Sequence, residues 1–297
     1  MNNVLHEEIV VFESEKHELL GIYHPASVDR CELGVLLIVG GPQYRVGSHR
    51  QFVLLARFLA QHGIPVFRFD YQGMGDSGGS PRTFEFIGSD VRAALDAFVR
   101  CDAGIEKFVL WGLCDAASAS LFYAHQDSRI VGLVLLNPWV RTERGEAKAR
   151  LKHYYLSRLF SKELVVKVIK GKFDIKSSLS SLYSNCKKVF EKSMSGKPDA
   201  QLIPSDAIDS SLSLPGRMLK GLKLFRGKVL IILSGNDLTA DEFIDTVNAS
   251  SEWQACMHES RVTQIKIENA NHTFSSKILR GKVENATLSI LRELARK

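Results

Sequence analysis

The chain has 297 residues, of which 45% are hydrophobic, enough for one large α/β domain with an insertion or for two domains. The N-terminal segment lacks a basic stretch followed by an apolar one, and the longest apolar runs have about half the length of a membrane span. We therefore expect neither a signal peptide nor a membrane-spanning helix. Five cysteines without a C-x-x-C spacing favour a reduced, cytoplasmic protein over a disulfide framework or a zinc ribbon.

The net charge of +6 is distributed unevenly along the chain. Residues 141–197 contain 15 lysines and arginines but only 5 aspartates and glutamates. Such a segment is usually a solvated helical face, but a basic surface also attracts anionic partners, such as an acyl-carrier protein, coenzyme A, a headgroup or an acidic glycan. Nucleic acid is not expected as a partner, because no nucleic-acid-binding motif accompanies the basic segment.

Strand-like and helix-like segments alternate along the first half of the chain. Two strands with an antiparallel pattern come first, and the continuous apolar run after them is typical of a strand buried on both faces. Alternation of this kind predicts βαβ units and a mostly parallel sheet with helices on both faces. The segments are EEIVVFES, ELLGIYHP and LGVLLIVGG (strands), HRQFVLLARFLAQHG (helix), IPVFRFD (strand), FEFIGSDVRAALDAFVR (helix), KFVLWG (strand), DAASASLFYAHQ (helix) and RIVGLVLLNP (strand).

The alternation stops after the sixth strand and resumes near residue 226. Residues 141–225 are rich in Lys, Ser and Leu and helical in pattern, which predicts a helical cap inserted into an α/β core of residues 1–140 and 226–297. Beyond the cap we expect two more strands, which makes an eight-stranded sheet. The segments are KVLIILSG (strand), ADEFIDTVNASSEWQACMH (one helix), VTQIKIENA (strand) and SSKILRGKVENATLSILRELARK (helix).

Cys114 lies at the junction of the fifth predicted strand and the helix that follows it. The residues two before and two after it are Gly112 and an alanine, and a side chain held on a tight strand-to-helix turn needs small neighbours there. Backbone N–H groups and the helix dipole favour the reactive thiolate at such a turn, whereas the charge of Asp115 opposes it. An ordinary buried thiol is the alternative interpretation. Ser118 and Ser120 are rival nucleophiles, but both lie at least a turn into the helix.

Two polar side chains follow the seventh and eighth predicted strands. Asp237 comes just beyond the seventh strand, and His272 just beyond the eighth. Because the carboxyl ends of parallel strands meet at one edge of a sheet, both can converge on Cys114 in the chain order nucleophile, acid, histidine. The pattern predicts a Cys114–His272–Asp237 triad. Asp237 could instead cap the helix that begins near Ala240, and Asp241 is a rival acid.

An acyl-transfer site also needs hydrogen-bond donors for the oxyanion. One is the N–H of Asp115, the residue after the nucleophile. The other is expected from the loop VGGPQYRVGS after the third strand. Pro42 has no N–H, so Gly41 is the first choice and Gln43 the second. The chemistry of this set requires no cofactor and no metal ion.

These segments together resemble the α/β-hydrolase superfamily over nearly the whole chain. The resemblance implies an α/β-hydrolase fold whose site is built from the oxyanion loop, the elbow, the acid segment and the histidine segment. More narrowly, the combination resembles the exosortase-A-system-associated hydrolase 1 group of bacterial proteins, which is found with exopolysaccharide and protein-sorting genes. The segments are VGGPQ, FDYQGMGDSGG, WGLCDAAS, SGNDLTADEF and NHTF.

The chain also departs from the usual hydrolase pattern. Cys114 replaces the nucleophilic serine, Ala116 the glycine two residues later, and Val39 the histidine of the oxyanion loop. The acid segment has one residue fewer before Asp237 than the commonest pattern, which keeps Asp241 as an alternative. Cysteine elbows are known in dienelactone hydrolases and polyester synthases, so the substitution is compatible with an active enzyme.

We predict an acyl hydrolase, an esterase or thioesterase that works through an acyl-enzyme on Cys114. An acyltransferase is the first alternative, because a thioester acyl-enzyme can also react with a hydroxyl acceptor. A non-catalytic binding module on a hydrolase fold is the second. The expected partner is a small acyl ester or thioester, either free or presented by an anionic carrier or glycan.

Overall fold

The computed structural model describes residues 6–28, 30–41, 43–141 and 211–296. Within them, eight strands form one sheet in the order β1-β2-β4-β3-β5-β6-β7-β8. The strands are β1 (Glu8–Ser14), β2 (His17–His24), β3 (Leu33–Ile38), β4 (Val66–Phe69), β5 (Lys107–Leu113), β6 (Ile130–Leu136), β7 (Lys228–Ser234) and β8 (Val262–Ile267). The helices are α1 (Gln51–Gln61), α2 (Gly88–Cys101), α3 (Asp115–Tyr123), α4 (Leu214–Leu224), α5 (Leu238–Asn248), α6 (Ser251–Met257) and α7 (Lys277–Ala295).

Strand direction follows the predicted pattern. β1 pairs with β2, and β2 with β4, in antiparallel register, whereas every other neighbouring pair is parallel. The eight-stranded, mostly parallel sheet and the opening antiparallel pair are thus confirmed. Since β3 to β8 run in one direction, their carboxyl ends lie at one edge of the sheet, where loops carry function in folds of this kind.

The central strands of the sheet are buried on both faces. All six residues of β3 are buried. Leu36 and Ile38 pack into one apolar cluster, and Val35 and Leu37 into the other, because successive strand residues point to opposite faces. Helices α1 and α7 contribute side chains to the cluster around Trp111, whereas α2 to α6 contribute to the opposite one.

The segment predicted as one helix after β7 is two helices. α5 ends at Asn248 and α6 begins at Ser251. Ser250 separates them with extended backbone, and its side chain accepts a hydrogen bond from the N–H of Trp253. A serine in this role satisfies an N–H that the first turn of a helix leaves without a partner, and it starts a new helix here.

The predicted insertion contains a helix that packs with the core. Contacts divide the chain into one compact unit of Met1–Val140 and Ile208–Lys297 and another of Arg141–Ala207. Helix α4 therefore belongs with the first unit, although the expected boundary lay at residue 225. The reason is its buried stripe, in which Met218 and Leu222 are fully buried one turn apart. The helical cap itself, expected from residue 141, falls almost wholly on residues 142–210, which lie outside the described part of the chain.

A buried pair of basic residues joins β2 to β4. His24 and Arg68 are 1% and 4% exposed, and Arg68 Nε donates a hydrogen bond to His24 Nε2 at 2.8 Å. Burial, together with the charge of Arg68, lowers the pKa of His24 to about 4. His24 is therefore neutral and acts as a hydrogen-bond acceptor in the folded protein.

This pair makes folding stability depend on pH. Near pH 6.5 the histidine of the unfolded chain begins to bind a proton that folded His24 does not, so the free energy of unfolding should fall from pH 6.5 towards about 4. A His24→Gln variant keeps an acceptor but does not titrate, so its stability should fall less over this interval. Urea unfolding of both proteins at several pH values measures the difference. Parallel curves would contradict a neutral His24.

Candidate active site

Cys114 lies on the tight turn between β5 and α3, in the position that the sequence predicts. Its backbone has φ 64° and ψ −123°, a conformation that non-glycine residues rarely adopt. A Cβ on Gly112 would lie 2.6 Å from the carbonyl of Ala116, so only glycine allows this approach. The Cys114 N–H donates to the carbonyl of Leu136 at the end of β6, at 2.8 Å. This geometry presents one side chain at the edge of the sheet, as a nucleophile elbow does.

The two serines in α3 are engaged inside the fold. Ser118 and Ser120 are fully buried. The Ser118 hydroxyl donates to the carbonyl of Trp139 at 2.7 Å, and the Ser120 hydroxyl donates to that of Ala116, also at 2.7 Å. Neither hydroxyl is available to a substrate, and Cys114 alone occupies the turn.

His272 and Asp237 are brought together from the loops after β8 and β7. His272 Nδ1 lies 2.8 Å from Asp237 Oδ2. Because a carboxylate only accepts hydrogen bonds, Nδ1 is the donor, and in the neutral imidazole Nε2 then carries no proton and can accept one. The Asp237 side chain is 8% exposed and that of His272 is 34% exposed, so the acid is shielded from water while part of the imidazole reaches solvent.

Asp237 has two roles that the sequence presented as alternatives. Its Oδ2 also accepts a hydrogen bond from the N–H of Ala240 at 3.3 Å, so Asp237 caps α5 as well as holding the imidazole. The rival acid Asp241 is exposed in the first turn of α5, and its N–H donates to the carbonyl of Asp237. The acceptor of the hydrogen bond from the His272 imidazole is therefore Asp237 and not Asp241.

Asn137 links the histidine loop to the elbow, and sequence reasoning missed it. Its Nδ2 donates to the carbonyl of His272 at 3.1 Å and to Ser234 Oγ at 2.8 Å, while its Oδ1 accepts from the Ser234 N–H at 2.8 Å. Asn137 is fully buried, has φ 42°, and directly follows Leu136, the residue that accepts from Cys114. A buried polar residue just beyond a strand was the available signal, but only the fold shows its partners.

The predicted oxyanion donors face an internal carboxylate. The N–H of Gly41 donates to Asp115 Oδ2 at 2.8 Å, and the N–H of Ala116 donates to Oδ1 at 2.9 Å. Asp115's own N–H also stabilises the carboxylate. Burial nevertheless raises the pKa of Asp115, and the three N–H groups and His272 offset this only in part. Gln43, the second choice, accepts a hydrogen bond from the Ser48 N–H through its side chain.

Asp70 anchors the loop that carries Gly41. This carboxylate is fully buried and accepts hydrogen bonds from the N–H and the guanidinium of Arg45. It also accepts from the N–H of Asp76, in the loop after β4. The motif FDYQGMGDSGG, noted for its family resemblance, thus holds the loop after β3 in place.

The described residues contain no cluster of three or more His, Cys, Asp or Glu side chains able to hold a metal ion. None of the helices described has the length and apolar character needed to cross a bilayer.

The fold and the site define a hydrolase of the α/β-hydrolase type. The sequence model of the serine aminopeptidase (S33) family matches residues 34–272, and the chain belongs to this family of hydrolases. No curated protein sequence matches the chain significantly. In that family the name specifies serine, whereas this chain carries Cys114 at the elbow.

Solved structures share the fold at low sequence identity. An esterase of Pyrococcus furiosus has a TM-score of 0.64 at 15% identity, covering 98% of this chain and 92% of its own. The α/β hydrolase GrgF of a Penicillium species has a TM-score of 0.61 at 14% identity, covering 97% and 99%. Est1E of Butyrivibrio proteoclasticus, solved with ferulic acid, has a TM-score of 0.58 at 14% identity, covering 94% and 98%.

The Asn137 contacts generate a test of how the site is held. Asn137→Gly tolerates the positive φ but removes three hydrogen bonds, each worth about 1 kcal/mol. We expect the free energy of unfolding to fall by about 1 kcal/mol for each hydrogen bond that is lost. We also expect roughly tenfold slower alkylation of Cys114 by iodoacetamide at neutral pH, because the His272 loop is no longer held in place.

Thermal unfolding and the pH profile of alkylation measure the two effects separately. A purely structural role for Asn137 would lower stability without changing the pH profile of the thiol.

Proposed function

We propose that this protein is an esterase or thioesterase that uses Cys114 as nucleophile, His272 as general base and Asp237 as the acid that orients it. The observation that carries the proposal is the hydrogen bond between His272 and Asp237, together with a cysteine on a strained strand-to-helix turn at the same edge of the sheet. The hydrogen bonds of Asn137 to His272 and of Cys114 to Leu136 support a common location for the three side chains.

The reaction follows from the properties of these groups. His272 Nε2 takes the proton of the Cys114 thiol, and the thiolate attacks the acyl carbon of the ester or thioester. The carbonyl oxygen becomes an oxyanion, which the N–H groups of Gly41 and Asp115 stabilise. As the tetrahedral intermediate collapses, the protonated imidazole gives its proton to the leaving alcohol or thiol, and an acyl thioester remains on Cys114.

Hydrolysis completes the cycle. His272 removes a proton from a water molecule, the hydroxide attacks the acyl thioester, and the carboxylic acid leaves as the Cys114 sulfur recovers a proton from the imidazole. Asp237 stabilises the imidazolium in both steps through its hydrogen bond to Nδ1. It does not take up the proton itself.

An acyltransferase is a second proposal, and the cysteine favours it. A thioester retains more transfer potential than an ester, so a hydroxyl acceptor in the site could compete with water for the acyl group. Product analysis with and without alcohol or sugar acceptors distinguishes the two reactions.

The basic segment 141–197 belongs to the same proposal, as a surface for an anionic carrier or glycan. Most of this segment lies outside the described residues. A cytoplasmic location and a link to exosortase and exopolysaccharide systems are also part of this proposal.

The nucleophile is tested by intact-protein mass spectrometry after incubation with a panel of acyl esters and thioesters. We expect a covalent acyl adduct that maps to Cys114, which also identifies the acyl class. Cys114→Ala should lose the adduct and the activity while its unfolding temperature stays close to that of the unmodified protein. His272→Ala should lower the rate of acylation by roughly a hundredfold or more. Full activity of Cys114→Ala would contradict the proposal.

The acid is tested with a matched pair of variants. Asp237→Asn preserves the helix cap, because asparagine caps helices as well as aspartate, but it no longer holds the imidazole with a charge. We expect it to lower kcat by roughly a hundredfold or more. Asp241→Asn removes an exposed carboxylate from the same helix and should change kcat by less than about twofold. The reverse order would identify Asp241 as the acid.

A further inference from the structure

The side chain of Asp115 is unusual among the groups around Cys114. It is an acidic side chain directly after the proposed nucleophile, and its two oxygens accept the N–H groups of Gly41 and Ala116. Asp115's own N–H also stabilises the carboxylate. Two of these three donors, Gly41 and Asp115, are the groups that the acyl-transfer reaction needs for its oxyanion.

The surrounding backbone leaves room for this carboxylate. A Cβ on Gly40 would overlap Asp115 Oδ1, so the glycine at this position is required for the observed conformation. Asp115 opens α3, where the N-terminal end of the helix dipole also favours negative charge. The carboxylate is therefore bound in the way that an oxyanion would be bound, by backbone donors at a helix N-terminus.

We propose that the Asp115 carboxylate is an internal occupant of the oxyanion hole, which a substrate must displace before Cys114 can attack. The inference rests on the proposed acyl-transfer function and adds to it a side chain that controls entry to the reaction. In the resting protein the N–H of Gly41 is engaged by Asp115, so a substrate carbonyl competes with a charged acceptor for it. Asp115 thereby selects against small neutral esters, whose carbonyl oxygen is the weaker acceptor.

The electrostatics allow this occupant to leave. Burial raises the pKa of Asp115 above its ordinary value in spite of the three N–H groups, so the hydrogen bonds do not fully compensate for the loss of water. The positive charge of His272 also stabilises the Asp115 carboxylate. The imidazole gains that charge when it takes the thiol proton. In the same step the N–H groups exchange the Asp115 carboxylate for the substrate oxygen as their acceptor, so the charge of His272 favours the ionised carboxylate when these hydrogen bonds are lost. Tyr71, on which the charge of Asp115 also acts, is neutral at physiological pH because burial raises its pKa to about 12.

The test compares two reactions of the same thiol. p-Nitrophenyl acetate acylates Cys114 through an oxyanion, and the burst of p-nitrophenolate measures that rate. Iodoacetamide alkylates the thiolate by direct displacement, forms no oxyanion, and reports the reactivity of the thiol alone. Removal of a nearby charge also changes the pKa of the thiol, but this change affects both reactions alike. The ratio of the two rates therefore reports the contribution of the oxyanion hole alone.

The variants are Asp115→Ala and Asp115→Asn, with Asp241→Asn as a control that removes a carboxylate outside the hole. We expect the ratio of acylation to alkylation to rise roughly tenfold or more in Asp115→Ala, because loss of one oxyanion donor costs about a hundredfold in other acyl-transfer enzymes. Asp115→Asn should show a smaller rise, since a neutral amide oxygen competes more weakly than a carboxylate. In Asp241→Asn the ratio should stay within about twofold of the original protein, the change expected for a screened surface charge.

The outcomes separate this inference from the proposed function. A burst in the original protein with an unchanged or lower ratio in both Asp115 variants would show that the carboxylate supports the site rather than blocking it, and would overturn the inference alone. Absence of acylation in every variant, with alkylation intact, would overturn the acyl-transfer function. If Asp115→Ala does not fold, Asp115→Asn retains the shape of the side chain and an acceptor for the Ala116 N–H, and its ratio decides.

Discussion

The turn between β5 and α3 is the constraint on which the rest of the site depends. Cys114 can project from the edge of the sheet only because its backbone takes a positive φ, and that backbone fits only because Gly112 has no side chain. Strain of this kind costs of order 1–3 kcal/mol and persists where the surroundings over-determine it. Here the hydrogen bond from the Cys114 N–H to Leu136 provides that support, together with the buried strand β5 that leads into the turn and its buried neighbour β6.

The same edge of the sheet carries three further polar residues. β6, β7 and β8 run parallel to β5, so their carboxyl ends deliver Asn137, Asp237 and His272 to one rim. Asn137 fastens the histidine loop to the ends of β6 and β7 by hydrogen bonds that are shielded from water. Such a buried network holds the backbone that it binds in one position, here the loop that carries His272.

Charge distinguishes this site from a simple cysteine elbow. The helix dipole and the N–H groups of the turn favour negative charge, and the Asp115 carboxylate directly follows Cys114 at this end of the helix. Because Asp115 already engages the Gly41 N–H, the donors that would stabilise a reacting oxyanion are not idle in the resting protein. The loop that presents them is held in turn by the Arg45–Asp70 pair, at a distance from the thiol in sequence but on the same edge of the fold.

The periodicity of the sequence alone determined the order of strands and helices along the chain, because apolar runs and helical spacing are local properties. The positions of the strand ends predicted that Asp237 and His272 lie at the same edge of the sheet as Cys114. Periodicity did not reveal the break between α5 and α6 at Ser250, because this break depends on a single side chain that caps the next helix. Periodicity also did not reveal that α4 packs with the core. Whether Asp237 caps a helix or holds the histidine was open in the sequence, and the structure gives it both contacts. Only tertiary structure could bring Asn137 to the His272 carbonyl and Gly41 to Asp115, since these partners lie 135 and 74 residues apart and meet through the parallel strands between them.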